Sequence, residues 1–257
     1  MKTLPLHSHK ILLAFLVSCL SACATTQTSE SQAHDDWEHT NRKMQTFNED
    51  IDRMVLKPMA KTYLWTTPEP VDIAVTNFFN NLDDIGTAVN DVLQFKLVEG
   101  GLDFSRFLVN TTVGVVGLFD VGTQIDLPRH DEDFDQTLGV WGVPMGPYMV
   151  LPFVGSSSPR GMLGMLGDAI FHPMTYTFLL SGGAVSIASI GSGVLDVTDT
   201  RAGLLSSEKI VKEAAIDRYQ FLKSAYIQRR AYLINDGKVT EDPDAFLLDD
   251  NFDQPKK

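Results

Sequence analysis

Apolar residues recur three or four positions apart through the first half of the chain, which is the period of an amphipathic helix. This pattern predicts a first helix from about residue 36 to residue 56. Asp35 and Glu38 have the spacing of a capping box at its start, with Asp in the capping role. Pro58 lacks a backbone N–H, so it is expected to stop or kink the helix.

Three further helices follow from the same pattern. Residues 67–70, with two prolines, predict a break, and Pro70 is well placed in the first turn of a second helix. Asp83 and Asp84 are expected to cap a third helix, which ends near Leu93. A fourth helix is predicted from about 98 to 111.

The middle of the chain is rich in glycine and proline. Residues 114–125 predict only a marginal helix, which needs close packing on another helix or a membrane, because glycine costs about 1 kcal/mol relative to alanine. Residues 130–135 are expected to form an exposed acidic loop. Residues 139–155 contain four glycines and three prolines and predict a hairpin-like loop centred on residues 144–147.

The last third combines a long apolar stretch with a final helix. Residues 169–195 hold no Asp, Glu, Lys or Arg, but Pro173 and paired glycines favour one or two short apolar helices within or beneath lipid over a membrane span. The final helix is expected to start at Ser206 or Ser207 and to end at Gly237. The acidic tail, residues 238–257, is expected to be disordered.

The N-terminus has the layout of a secretory signal peptide, with basic residues before a short apolar run. Leu20-Ser21-Ala22-Cys23 resembles a bacterial lipobox, so residues 1–22 are expected to be removed and Cys23 to carry acyl chains. An ordinary signal peptide that happens to contain cysteine is the alternative. Residues 23–34 predict a flexible tether, followed by one helical domain over 35–237. Ala24, where retained inner-membrane lipoproteins tend to have Asp, points to the outer membrane.

Charge and cysteine content exclude several functions. The whole chain has a net charge of −12, and loss of Lys2 and Lys10 with the leader makes it −14. Such an acidic chain is a poor candidate for binding nucleic acid or anionic headgroups by charge. With Cys19 removed and Cys23 acylated, no thiol is left for a disulfide, a metal or a nucleophile, so the fold must be held by burial.

The sequence shows no catalytic constellation and no metal site, and no cofactor is expected. Asp131, Asp133 and Asp135 imitate the start of a calcium loop, but the glycine and glutamate that such a loop requires are missing. His172 is expected to be structural. Asp168 is the one carboxylate of interest, with a helix-end or headgroup contact favoured over a functional role.

Several ordered motifs resemble one family, the MlaA (VacJ) outer-membrane lipoproteins, over about residues 35–235. The strongest similarity is at Trp141-Gly142-Val143 with Gly146-Pro147-Tyr148. The matching segments are 36–38, 41–42, 44, 47–48, 55–60, 77–79, 81–82, 106–107, 110–112, 117–121, 136–139, 141–143, 146–148 and 151–152.

This resemblance implies a mostly α-helical, ring-like domain of amphipathic helices embedded in the inner leaflet of the outer membrane. A channel through it would remove phospholipid from the outer leaflet. An outer-membrane porin trimer would hold the domain, and a soluble periplasmic, MlaC-like carrier would receive the lipid. The expected role is maintenance of lipid asymmetry, with no enzymatic activity.

Two groups of residues are assigned roles on this basis. The hairpin-like loop is expected to line the lipid channel, and Gly142 and Gly146 are hypothesised to let it move as a gate; packing or membrane anchoring by its aromatic residues is the alternative. A second group is expected to brace the ring. The loop residues are Trp141, Gly142, Val143, Met145, Gly146, Tyr148, Leu151 and Phe153, and the bracing residues are Phe47, Asn48, Asn77, Phe78 and Phe79.

Two other functions stay open at this point. A structural lipoprotein that scaffolds porins would need no lipid path. A phospholipase would need a nucleophile and a base, which the sequence does not provide.

Overall fold

The computed structural model describes residues 37–173, 175–176, 187–208 and 216–238, all within one compact unit. The unit is mostly helical, as predicted. The leader, Cys23, the tether, Asp35 and residues 239–257 lie outside the described residues, as do 174, 177–186 and 209–215. The elements are α1 (Glu38–Ile51), a π-helical turn (Asp52–Leu56), α2 (Lys57–Thr66), α3 (Glu69–Leu93), α4 (Leu97–Thr112), α5 (Val121–Gln124), α6 (Phe134–Val140), β1 (Met149–Leu151), β2 (Gly155–Ser157), α7 (Pro159–Phe171), α8 (Ile187–Gly203) and α9 (Arg218–Ile234).

The first helix does not stop at Pro58. A π-helical turn over Asp52–Leu56 joins α1 to α2, and the backbone N–H of Lys57 donates to the carbonyl of Asp52 five residues back. In a regular α-helix the proline ring collides with the carbonyl four residues earlier. The wider π turn moves the carbonyls that precede Pro58, so the backbone continues as helix.

The predicted second and third helices are one. Helix α3 runs through Asp83 and Asp84, so the prediction that these residues cap a new helix is wrong. The break before it and Pro70 in its first turn are confirmed. Asp84 is buried and lies 3.3 Å from the guanidinium of Arg106 on α4, an ion pair that explains a carboxylate in mid-helix. The fourth predicted helix corresponds to α4.

Helices α3 and α4 pack against each other through polar side chains. On α4, Asp103, Arg106 and Asn110 are buried at helical spacing, while Leu97 and Val98 are 65% and 72% exposed. Across the described part of the chain, eighteen polar or charged residues are buried and only seven hydrophobic ones. This is the reverse of an ordinary water-soluble core, so the expectation of a fold held by burial alone is incomplete.

Arg106 is the centre of this polar interior. Its guanidinium contacts Asp84 and, at 2.7 Å, Asp120, and it donates to the backbone carbonyl of Leu127 at 2.8 Å. Asn110 accepts the backbone N–H of Gly122 at 2.8 Å. These contacts fold the segment after α4 back onto α4. Within 114–125, only Val121–Gln124 is helical, so the predicted marginal helix is largely absent.

The acidic segment is not simply an exposed loop. Asp133 caps α6, accepting the backbone N–H of Gln136 at 2.8 Å. Asp135 is buried and pairs with Arg160 at 2.6 Å and with Arg230 at 3.1 Å. These carboxylates, which imitate a calcium loop in the sequence, bind arginines in the fold. Residues 139–140 end α6, so the loop predicted over 139–155 starts later than expected.

A β-hairpin is present, but it lies further along the chain than predicted. Strands β1 and β2 are antiparallel, with Val150 opposite Ser156, so the turn falls at 152–154 and not at 144–147. Positive φ angles at Phe153 and Gly155 permit this tight turn.

Ser206 and Ser207 lie in a turn and Glu208 after them is helical, at the predicted start of the final helix. Residues 209–215 lie outside the described residues, and α9 begins after Asp217, whose carboxylate accepts the backbone N–H of Tyr219. Gly237 ends this helix as predicted, because its N–H donates to the carbonyl of Tyr232 at 2.9 Å, as in a Schellman motif. Within 169–195, the described residues fall at the end of α7, at 172–173 and 175–176, and at the start of α8.

None of the helices in the described ranges combines the length and the apolar character that a bilayer span requires. His172 has the structural role expected of it, with its Nε2 atom 3.4 Å from a carboxylate oxygen of Asp83.

Burial changes the ionisation of three interior carboxyls. Desolvation raises the pKa of Asp84 to about 6 and that of Asp168 to about 6, from an ordinary 3.8. Desolvation and a hydrogen bond with Asp103 raise the pKa of Asp91 as well, with Glu132 and Lys96 as its other charged neighbours. The folded state therefore holds protons that the unfolded chain has already released.

This difference sets the sign of the pH dependence of stability. The stabilisation from a raised carboxyl pKa is complete below about pH 4 and is lost as the pH rises through the folded-state value. We expect the free energy of unfolding in detergent to decrease between pH 4 and pH 7. Asp91→Asn, which keeps a neutral partner for Asp103, should flatten this decrease, and Asp50→Asn at an exposed position should not. A free energy that increases over this range would contradict the prediction.

Candidate functional site

The β-hairpin is held by two asparagines of α1. Asn41 is 2% exposed; its side-chain amide donates to the carbonyl of Tyr148 at 3.0 Å and accepts the N–H of Val150 at 2.9 Å. Asn48 repeats the arrangement, donating to the carbonyl of Leu151 and accepting the N–H of Phe153, both at 2.8 Å. Seven residues are two helical turns, so both amides project from one face of α1.

The structure therefore brings part of the predicted bracing group against the predicted loop group. The rings of Phe47 and Phe153 meet edge to face, with centroids 5.5 Å apart. Leu151 and Phe153 belong to β1 and its turn, and both bond to Asn48 through their backbone alone. The side chain of Leu151 takes no part in these hydrogen bonds, whereas the ring of Phe153 adds its contact with Phe47.

The other bracing residues lie elsewhere. Asn77 donates to the carbonyl of Leu118 at 3.2 Å, in the segment that follows α4. Phe78 and Phe79 contact each other at 5.4 Å, and Phe79 is buried. None of these contacts involves the hairpin. The sequence grouped all five residues, but the structure divides them between two places in the fold.

The first half of the predicted loop connects α6 to β1. Trp141 is half-exposed, donates from its indole N–H to the carbonyl of Leu93 at 3.0 Å, and packs edge to face on Phe134. The carbonyls of Val143 and Met145 accept hydrogen bonds from Arg160, from its guanidinium and its backbone N–H respectively. The connection is thus fixed mainly through its backbone.

Gly142 and Gly146 have φ angles of +84° and +76°, a conformation that strongly favours glycine. A Cβ atom at Gly146 would also meet the ring of Pro159 at 3.1 Å, whereas at Gly142 the space is open. The positive φ angles thus explain why both positions are glycine.

Three tyrosines surround the start of β1. The ring of Tyr148 lies 5.8 Å from that of Tyr219 and 5.7 Å from that of Tyr226. The hydroxyl of Tyr219 also accepts a hydrogen bond from Asn41 at 3.2 Å. The sequence placed Asn41 in a family motif and Tyr219 and Tyr226 on the apolar stripe of the final helix, but it assigned none of them to the loop site. The spacing of seven between Asn41 and Asn48 was the available signal, but only the fold shows what the two amides bind.

Asp168 also has a structural role. Its carboxylate accepts the backbone N–H of Phe134 at 2.8 Å and a hydrogen bond from the side chain of Asn90 at 3.3 Å. It therefore joins α7 to the start of α6 and to α3, which corresponds to the helix-end alternative.

Two cavities border the hairpin. The larger, of about 670 Å³, is bordered by α1, the π turn, the hairpin, α8 and α9, and its charged residues include Lys57, Arg201 and Glu208. The smaller, of about 470 Å³, is bordered by α3, residues 129–136 and α9, and its charged residues include Arg129 and Arg230. Both are lined by charged and polar groups as well as by apolar atoms.

The outer surface is strongly apolar. Each of a set of large hydrophobic side chains is more than half exposed within the described part of the chain. They are Met54, Trp65, Phe95, Leu97, Val98, Val113, Phe119, Ile125, Phe153, Leu163, Leu166 and Ile170. Soluble monomers rarely expose so much apolar surface. Together with the polar interior, these features define a class: a helical protein whose exterior suits lipid and whose cavities suit polar groups.

Comparison with known proteins agrees with this class. A family model for the MlaA lipoprotein matches residues 33–233. The chain belongs to the MlaA lipoprotein family.

Curated relatives are similar over almost their whole length. The chain is 32% identical over 246 residues to the intermembrane phospholipid transport system lipoprotein MlaA of Escherichia coli (strain K12), covering 93% of this chain and 94% of the relative. The Haemophilus influenzae protein of that name is 31% identical over 248 residues, with coverages of 94% and 96%.

One solved structure, from work on the structural basis for maintenance of bacterial outer membrane lipid asymmetry, matches with a TM-score of 0.67 and 32% identity. It covers 78% of this chain and 99% of the solved chain. The mostly helical fold is therefore shared.

The asparagine contacts make a stability prediction. Asn41→Ala leaves a buried carbonyl and a buried N–H without partners, so the free energy of unfolding should decrease by about 2–4 kcal/mol. Asn48→Ala, at a partly exposed position, should cost about 1 kcal/mol and increase hydrogen exchange mainly at Phe153. Chemical denaturation in detergent and amide exchange measure both effects.

Asn235→Ala is the matched control, because its amide contacts only its own helix end, at an exposed position. Its effect should stay below about 0.5 kcal/mol. Equal losses for all three variants would contradict the assignment of Asn41 and Asn48 as hairpin anchors.

Proposed function

We propose that this chain is the lipoprotein component of an intermembrane phospholipid transport system that maintains outer-membrane lipid asymmetry. The observation that carries the proposal is the inverted fold, with buried polar residues, an apolar exterior and cavities lined by charged groups as well as apolar atoms, in a chain belonging to the MlaA lipoprotein family. The names of the relatives and the subject of the matching structure support the same function.

The proposed location is the periplasmic face of the outer membrane. Cys23 would be acylated, and two or more buried chains hold a protein on a membrane durably, at about 0.8 kcal/mol per CH₂. Apolar side chains on the outer faces of α4 and α7, such as Val98 and Leu166, would lie among the acyl chains of the inner leaflet. The tether would link the anchor to the helical domain.

The proposed substrate is phospholipid misplaced in the outer leaflet. Its headgroup needs a polar path, which the two cavities offer, and its tails need apolar surface. Phe153 and Trp141, both at least half exposed beside the hairpin, would contact the tails. The remaining loop residues would line the path near the connection from α6 to β1.

A porin trimer is the proposed partner in the membrane, and a periplasmic MlaC-like carrier is the proposed acceptor of the lipid. The chemistry required is passage and not bond cleavage, because the carboxylates that stand out in the interior are engaged by arginines, backbone N–H groups or each other.

Deletion of the gene is expected to increase phospholipid in the outer leaflet, measured by lipid-A palmitoylation and by surface labelling of phosphatidylethanolamine. The wild-type chain should restore the normal level. Cys23→Ala should not, because the domain would lose its anchor. An unchanged lipid level in cells shown to lose an expressed outer-membrane protein would favour a scaffold that holds porins without passing lipid.

The gate hypothesis makes a separate prediction. A β-branched residue at Gly142 disfavours its φ of +84° by about 1–2 kcal/mol, which would shift the connection away from its present conformation by about 5- to 30-fold. Gly142→Val should therefore impair lipid removal in cells while the domain stays folded.

Gly101→Val is the control, since a Cβ atom there meets nothing within 4 Å and its φ is ordinary. Normal transport by a folded Gly142→Val protein would exclude the gate.

A further inference from the structure

The two cavities are separated at the hairpin by a thin wall of side chains. Ser156 of β2 borders both of them. Tyr148 borders the larger cavity and Tyr226 the smaller, and their ring centroids are 5.7 Å apart. The barrier between the cavities at this point is therefore only about as thick as a pair of side chains.

A hydrogen bond joins two side chains of this wall. The hydroxyl oxygens of Tyr148 and Ser156 are 2.8 Å apart. The hairpin register places Val150 opposite Ser156, and Tyr148 lies two residues before Val150, so both hydroxyls belong to one face of the hairpin. Tyr148 is only 5% exposed, which leaves little free space beside its ring.

The groups on either side suit one kind of cargo. Lys57 and Arg201 border the larger cavity, and Arg129 and Arg230 border the smaller. Carboxylates such as Glu208 accompany them on the larger side. Mixed charges of this kind suit a phosphate-bearing, zwitterionic headgroup on both sides, whereas Tyr148, Ser156 and Tyr226 between them carry hydroxyls and, in the tyrosines, aromatic rings.

We propose that Tyr148 and Ser156 form the constriction that a phospholipid headgroup opens when it passes from one cavity to the other. The proposal rests on the phospholipid-transport function above and assigns the barrier within that path to a single hydroxyl pair. Opening requires the Tyr148–Ser156 hydrogen bond to break and the tyrosine ring to move. Removing either hydroxyl lowers the barrier and leaves the wall otherwise intact.

The test uses the full-length, acylated protein in vesicles of phosphatidylethanolamine and phosphatidylglycerol. Nitrobenzoxadiazole-labelled phosphatidylethanolamine is placed in the inner leaflet of the vesicles, which is shielded from added dithionite. The rate at which the label becomes accessible to dithionite is measured. Tyr148→Phe and Ser156→Ala should each increase this rate by about two- to tenfold, the factor that one net hydrogen bond represents. The double variant should match either single variant, because both remove the same bond.

Two controls remove hydroxyls elsewhere. Tyr232→Phe alters an exposed ring on α9, and Ser105→Ala removes a hydroxyl that bonds only within α4. Both should keep the wild-type rate. Thermal unfolding in detergent verifies that every variant is folded.

The outcomes separate the two proposals. A wild-type rate equal to that of protein-free vesicles would overturn the transport function itself. A wild-type rate above that background would support transport. If the folded Tyr148→Phe and Ser156→Ala proteins then show rates at or below the wild-type rate, the constriction alone would be overturned. Additive acceleration in the double variant would also overturn it, since the two hydroxyls would then act separately.

Discussion

Arg106 lies buried between α3 and α4 and forms ion pairs with the carboxylates of Asp84 and Asp120, and the packing of these two helices depends on this arrangement. A buried guanidinium needs charged partners beside it, so the polar faces of the two helices have to meet. Their apolar faces are then forced outward. The apolar exterior and the charged interior both follow from this packing of α3 against α4.

The hairpin is held in place by hydrogen bonds and not by ion pairs. Asn41 and Asn48 bind the hairpin through its backbone N–H and C=O groups, and two amides separated by two helical turns fix Tyr148, β1 and its turn. The position of the hairpin therefore follows from α1, which carries the two amides. With Tyr148 and Ser156 on one face and Phe153 at the tip, this small element borders both cavities and reaches the apolar surface.

Helix periodicity identified most helical segments from the sequence, and the family motifs identified the fold and several hairpin residues. The errors share a physical cause. Asp83–Asp84 has the composition of a cap and Asp135 that of a loop, but each segment has a carboxylate that pairs with an arginine distant in sequence, which local propensity does not contain. The helix continues past Pro58 through a π turn, which is not visible in the pattern. The hairpin was misplaced because its asparagine partners lie about a hundred residues earlier.

Recognition through the backbone has a consequence for how this protein can change. A side-chain amide that binds peptide groups does not distinguish leucine from phenylalanine at the anchored positions. Attachment of the hairpin and the chemistry of its surface are therefore encoded by separate residues. Substitutions at Leu151 or Phe153 can alter what the surface contacts without detaching the strand. Such independence lets a lineage adapt the protein to bilayers of different composition while the scaffold is inherited unchanged.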